Sequence, residues 1–275
     1  MTISTDRIAV CSWSLRPSGP DELIERLQRL KIARVQLALS PLVNDPAVWG
    51  GAVGKLRSAG ITIVSGMMAL AGEDYSTLES IARTGGVRPD ATWPANEQHA
   101  VAVAELASKD SISLVTFHAG FIPEDEADPE RATLIERLQR MADIFAERRV
   151  NLAFETGQET ACTLLNALTA INRPNLGINF DPANMILYDQ GDPVLALERL
   201  ATHVVQVHVK DAIESELPGE WGEEVQAGHG AVNWGDFFTI ARGIDPPVDF
   251  VIEREAGEDR EGDIACAAKL IADHL

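Results

Sequence analysis

Eight short runs rich in β-branched and apolar residues, each followed by a longer stretch with apolar residues at helical spacing, constrain this chain more than any other feature. The runs cover residues 8–13, 34–39, 61–67, 113–118, 151–155, 177–181, 204–210 and 249–253. Between them, Leu23, Leu27 and Leu30 form one apolar stripe, and Leu134, Leu138, Met141 and Phe145 another. Leu164, Leu168 and Ile171 form a third, and Ile264, Ala268, Ile271 and Leu275 close the chain. Eight β-then-α units in 275 residues predict one α/β domain over 1–275, a (β/α)8 barrel. The rival, a doubly wound open sheet, would carry a glycine-rich phosphate fingerprint after its first strand. Here that position reads Cys11-Ser12-Trp13-Ser14-Leu15-Arg16-Pro17. Two βα connections, 71–93 and 213–233, exceed the usual few residues and belong on the catalytic face of such a barrel.

The seventh run shows what that face holds. Val205, Val207 and Val209 alternate with Gln206, His208 and Lys210, so the valines should pack outward on the helices and the polar set should point inward. Other runs end the same way, with an apolar residue just before an ionisable one: Phe117-His118, Phe154-Glu155, Phe180-Asp181 and Ile252-Glu253. Alternation then sends His118, Glu155, Asp181, His208 and Glu253 into one barrel mouth. Taken singly, each has an ordinary reading as a solvated strand end, a turn starter or a hydrogen-bonded core histidine. Together, three carboxylates and two imidazoles would repel and desolvate one another unless a cation neutralised them.

Glu155, Asp181, His208 and Glu253 make an oxygen-rich set with one imidazole, suited to one divalent ion: Mn²⁺, Mg²⁺ or Co²⁺, with Zn²⁺ a less favoured alternative. A substrate with adjacent carbonyl and hydroxyl groups could complete the coordination. Glu155 and Glu253 would then be placed to remove and return the proton on the carbon beside the carbonyl. That chemistry is isomerisation or epimerisation of a sugar or polyol-like compound. Two alternatives stand beside it. The same site could eliminate water as a dehydratase, or the barrel could bind a sugar or metabolite without turnover.

Composition narrows the setting. A formal charge of −19 argues against a nucleic-acid partner. No run is apolar for long enough to span a bilayer. Residues 1–7 lack the pattern of a secretory leader, and three widely separated cysteines (Cys11, Cys162, Cys266) give no disulfide framework, which together predict a cytoplasmic protein. Cys11 is expected to be buried and inert and Gln206 to fill a layer of the barrel interior; Trp13 and Trp93 either wall the mouth against a sugar face or, as aromatics at strand and loop ends more often do, pack in the core or a lid. Oligomeric state is not readable.

On these residues the chain resembles the xylose-isomerase-like TIM-barrel superfamily, the sugar phosphate isomerase/epimerase group that also takes in ketose 3-epimerases, inosose and dehydroshikimate dehydratases, and endonuclease IV. The resemblance rests on Phe117-His118-Ala119-Gly120, Phe154-Glu155-Thr156, and Asn179-Phe180-Asp181-Pro182-Ala183-Asn184. It continues through Val207-His208-Val209-Lys210-Asp211, Gly228-His229-Gly230-Ala231-Val232-Asn233-Trp234 and Ile252-Glu253-Arg254-Glu255. It implies that Glu155, Asp181, His208 and Glu253 bind one divalent cation and that Glu155 and Glu253 act as the acid/base pair. It also implies that His118 and Lys210 lie beside a small sugar-like substrate. A plain ion pair with Asp211 or a neighbouring glutamate is the other reading of Lys210. The chain departs from the 3-epimerases at Asn184, where they have histidine, and in 212–215, where they have arginine. It departs from the wider group at His229, which stands between two glycines in place of glutamate. His229 is either a further substrate contact or an ordinary loop residue.

Overall fold

The computed structural model describes residues 5–217 and 219–275; the leader-related reading of the N-terminus falls in part on residues 1–4, outside that range. All eight runs form strands: β1 (Ile8–Cys11), β2 (Arg34–Ala38), β3 (Thr62–Met67), β4 (Leu114–Phe117), β5 (Asn151–Glu155), β6 (Leu176–Phe180), β7 (Val204–Val209) and, after a small hairpin of β8 (Asp211–Ile213) and β9 (Glu223–Val225), β10 (Asp249–Ile252). The eight pair in parallel as a closed barrel in the order β1-β10-β7-β6-β5-β4-β3-β2. Helices cover the outside, and the expected (β/α)8 architecture holds. No described helix is long and apolar enough to cross a membrane.

The outward residues pack as alternation requires. Phe117 and Phe154 meet edge to face at 5.5 Å, and Phe180 lies 6.0 Å from Phe237 of helix Trp234–Ala241. Val207 and Val209 are fully buried on that side, but Val205 is 42 % exposed and does not belong to the packing surface predicted for it. The register between β6 and β7 slips there: Ile178 pairs with Val204 and Asn179 with Gln206, so Val205 is the extra residue of a bulge and Val204 is the one buried. β1 is also shorter than expected. It stops at Cys11, and Ser12–Leu15 coils into a 3-10 turn that swings Trp13 over the mouth.

Inside, the barrel is polar near the mouth. Gln36 Nε2 donates to Thr116 Oγ1 at 2.9 Å, Ser65 Oγ to Gln206 Oε1 at 2.6 Å, and Gln206 Nε2 to Asn179 Oδ1 at 3.0 Å. These buried groups satisfy one another, so the layer is rigid and can hold side chains above it in fixed rotamers. The two long connections carry structure of their own. Helix Leu78–Thr84 lies in the first, and the β8–β9 hairpin lies in the second.

Candidate metal centre and active-site cavity

Directly above that layer, His208 Nδ1 sits 3.4 Å from Glu155 Oε1, 3.5 Å from Glu253 Oε2 and 3.6 Å from Asp181 Oδ2. Donor atoms of all four residues fall within 4.8 Å of one another, and all four side chains are buried. β5, β7 and β10 deliver Glu155, His208 and Glu253 at or just beyond their C-terminal ends. Asp181 follows β6 as the N-cap of helix Pro182–Leu187, its Oδ1 accepting from Ala183 N and Asn184 N. That capping bond uses one oxygen and leaves Oδ2 facing the imidazole.

The opposite ring nitrogen is fixed. His208 Nε2 donates to Gln36 Oε1 at 2.7 Å, which leaves Nδ1 as the lone-pair nitrogen. Asn179 Nδ2, 3.0 Å from Nε2, donates to Glu155 Oε2 at 3.2 Å. Asn184 bridges the site: its Nδ2 donates to Glu155 Oε1 at 3.0 Å, and its Oδ1 accepts from Lys210 Nζ at 3.3 Å. Gly157 makes room for it. That residue has φ +135°, and a Cβ there would fall 2.3 Å from Asn184 Cβ.

Lys210 resolves toward its glutamate partners. Its ammonium donates to Glu253 Oε2 at 2.9 Å and Glu255 Oε2 at 2.7 Å, not to Asp211. Glu253 also accepts from Trp13 Nε1 at 2.8 Å. Burial alone would raise Glu253, but Lys210 and His208 outweigh it and hold the carboxyl well below the ordinary range. Burial likewise opposes ionisation of Glu155, yet His118 and His208 keep it below its usual value. Asp181 goes the other way, pushed up to about 6 by burial despite Lys210. Burial disfavours a charged His208, but the surrounding charges, the carboxylates of Glu155 and Glu253 among them, raise it well above an ordinary histidine. The cluster gathers positive charge at Nδ1.

A proton is one way to supply that charge, and a divalent cation fits the geometry better. Asp181 Oδ2 and His208 Nδ1 are buried with no hydrogen-bond partner, a costly state for two atoms facing each other across 3.6 Å. Ligands held at about 2.1 Å by a hard cation lie roughly 3 to 4.3 Å apart in octahedral geometry, and the four donors here are spaced on that scale. Three carboxylates with one lone-pair imidazole form a donor set for such an ion. Cys11 Sγ, 3.7 Å from Nε2, lies close to His208 and Glu253 but is not within reach of all four donors, and burial raises its thiol pKa far above normal.

The centre opens into a cavity of about 700 Å³ whose wall includes Trp13, His118, Asn184 and Lys210. His118 Nε2 is 3.8 Å from Glu155 Oε1, and its buried Nδ1 has no partner. Burial lowers its pKa, but Glu155 and Glu73 more than offset that and raise it. Two residues are placed elsewhere. His229 is exposed on the turn after the hairpin, its backbone N–H donating to Gln226 O. Trp93 begins helix Trp93–Lys109 with Arg137 stacked over its ring at 5.4 Å. The wall also holds Tyr75, Tyr188, Trp221, Glu224 and Glu255, which the sequence reading passed over. Tyr75 and Trp221 had a signal, since each is an aromatic residue within a long catalytic-face connection.

Comparison with known proteins agrees with this architecture. The family model described as xylose isomerase-like TIM barrel matches residues 52–274. Among solved structures, a xylose isomerase domain protein from Planctomyces limnophilus is 31 % identical, with a TM-score of 0.87 and coverage of 98 % of this chain and 96 % of that one. The probable 3-DHS dehydratase AsbF from Bacillus anthracis is 16 % identical (TM-score 0.74; 96 % and 98 % covered). D-allulose 3-epimerase from Methylomonas sp., in complex with D-allulose, is 15 % identical (TM-score 0.71; 98 % and 97 % covered). The last two likenesses are of fold. No curated protein matches the chain.

Proposed function

The chain belongs to the xylose isomerase-like TIM-barrel family, and from that premise we propose that it is a divalent-metal-dependent isomerase or epimerase of a sugar or polyol-like carbonyl compound. The observation that carries this reading is the ring of Glu155, Asp181 and Glu253 carboxylates around His208 Nδ1. A bound cation would polarise the substrate carbonyl and acidify the neighbouring C–H. Glu155 and Glu253 stand on β5 and just beyond β10, on either side of β7. One takes the proton and the other returns it. Trp13 and Lys210 hold Glu253 ionised and oriented; Asn179 and Asn184 do the same for Glu155. The same donors fix both carboxylates before substrate arrives, so little reorganisation accompanies proton transfer.

A second reading uses the same carboxylate to start and ends in loss of water. His118 favours it, because its unpartnered Nδ1 is buried at the cavity wall, where it could protonate a departing hydroxyl. The AsbF likeness is consistent with that course. Incubation of the Mn²⁺-loaded protein with a ketose and inosose panel in D₂O separates the two. Deuterium in a product of unchanged formula identifies isomerisation, and a product lighter by water identifies the lyase. Mn²⁺ binding with no exchange and no product across the panel would overturn both.

A further inference from the structure

Resting on the reading of the centre as an enolising site, we infer that its substrate is uncharged and bipartite: a hydroxy-carbonyl head for the metal centre, carrying an apolar substituent that fills the outer cavity. Two observations carry this.

The first is the absence of a free lysine or arginine on the wall. Among the described residues lining the cavity, Lys210 is the sole lysine or arginine. Its three N–H bonds are all used, by Asn184, Glu253 and Glu255. The nearby Arg254 is likewise committed, to Glu224 and Asp263 at 2.8 Å each. Meanwhile Glu73, Glu224 and Glu255 all contribute to the wall. A phosphate or carboxylate on the substrate would be desolvated beside these carboxylates with no free ammonium or guanidinium to receive it, which discriminates against anionic substrates.

The second is the size and character of the outer cavity. A six-carbon ketose fills about 200 Å³ at the packing density of an organic solid, well under half of the 700 Å³ available. The rest is bounded by Met67, Tyr75, Leu187, Tyr188 and Trp221, a largely aromatic and aliphatic surface. Tyr188 and Trp221 meet edge to face at 4.9 Å and so present one continuous wall. Trp221 Nε1 is buried without a partner, leaving an uncharged donor for a neutral oxygen near the tail. Such a wall binds by excluding water from apolar surface, which a free sugar lacks.

The test compares each D-ketohexose in three forms, free, 6-O-benzylated and 6-phosphorylated, with the Mn²⁺-loaded protein and solvent deuterium uptake as the readout. The benzyl form is expected to exceed the free sugar in kcat/KM by about 10- to 100-fold, and the phosphate to fall below it. Trp221→Ala is expected to shrink the benzyl advantage. A benzyl form no better than the free sugar, or a phosphate handled as well as it, overturns the inference while leaving the enolising enzyme standing. Exchange with none of the three forms, despite Mn²⁺ binding, takes down the functional reading itself and this inference with it.

Discussion

Gln36 Oε1 lies 2.7 Å from His208 Nε2, and that bond turns the other imidazole nitrogen toward three carboxylates. Gln36 is on β2, across the barrel from β7, and is fully buried. Its amide is held by Thr116, so the acceptor cannot swing away. A positioning role for Gln36 predicts that Gln36→Leu leaves both tautomers of His208 populated and weakens Mn²⁺ binding by about 10- to 100-fold. Titration followed by electron paramagnetic resonance measures this without substrate. Gln36→Glu keeps an acceptor at the same place and should recover most of the affinity. Equal affinity in wild type and Gln36→Leu would remove Gln36 from the centre.

Glu253 is held by Trp13, Lys210 and His208, all within 3.5 Å. Glu253→Gln preserves shape and removes the proton acceptor. Exchange should fall by roughly 10²- to 10⁴-fold, the range for loss of a general base, while circular dichroism and cooperative melting persist. Exchange at the wild-type rate would exclude Glu253 from proton transfer.

The strands and the four clustered residues Glu155, Asp181, His208 and Glu253 were legible because both obey a period of two. Phe154 and Glu155, Phe180 and Asp181, Val207 and His208 take opposite sides of a pleated strand whatever their neighbours do. What alternation cannot supply is the partner of a side chain. Nothing local distinguishes Asp211 from Glu255 as the mate of Lys210. That choice depends on β7 and β10 being adjacent and on Asp211 being pulled toward the loop that follows it. Gln36 was silent for the same reason, its partner lying 172 positions away. His229 misled in the opposite sense: its place between glycines drew notice, yet those glycines serve the turn and the ring stays in solvent. Val205 failed because a bulge interrupts the period of two there: Ile178 pairs with Val204 and Asn179 with Gln206, which leaves Val205 over.

Glu159 offers a pH-dependent measurement away from the metal centre. It follows β5, is 5 % exposed, and its Oε1 has no hydrogen-bond partner. Burial pushes its pKa up from 4.5 to about 8. With the folded value raised, the neutral acid's contribution is fully present below about 4.5 and is lost as pH climbs through 8. Glu159→Gln stays neutral throughout. The variant should therefore match wild type near pH 4.5 and gain over it steadily, reaching about 3–5 kcal/mol above pH 8. Denaturant unfolding across that range measures the difference. A gap that does not change with pH would mean that Glu159 is ionised in the fold at all of them.

Asp211 is the residue around which the second long connection is built. Oδ2 accepts from Gly228 N at 2.8 Å, Gly230 N at 3.1 Å and Trp234 Nε1 at 2.9 Å, while Oδ1 accepts from Ala212 N at 3.0 Å and Val232 N at 3.2 Å. Five donors converge on one buried carboxylate that, among the described residues, forms no ion pair. This satisfies the backbone of a loop that would otherwise leave buried N–H groups unpaired. Gly230 is required at close quarters, since a Cβ there would stand 2.2 Å from Asp211 Oδ1. Asp211→Asn is therefore not a mild change. Whichever way the amide turns, its NH₂ faces at least two N–H donors and one side of the network is lost. The expected cost is about 3–5 kcal/mol, with faster amide exchange across residues 226–232. Because the β8–β9 hairpin carries Glu224 and leads from β7 to this loop, the KM for a tail-bearing substrate should rise more than that for a free ketose. Unaltered amide exchange in Asp211→Asn would show that the loop is held by its glycine turns and by Trp234 packing instead.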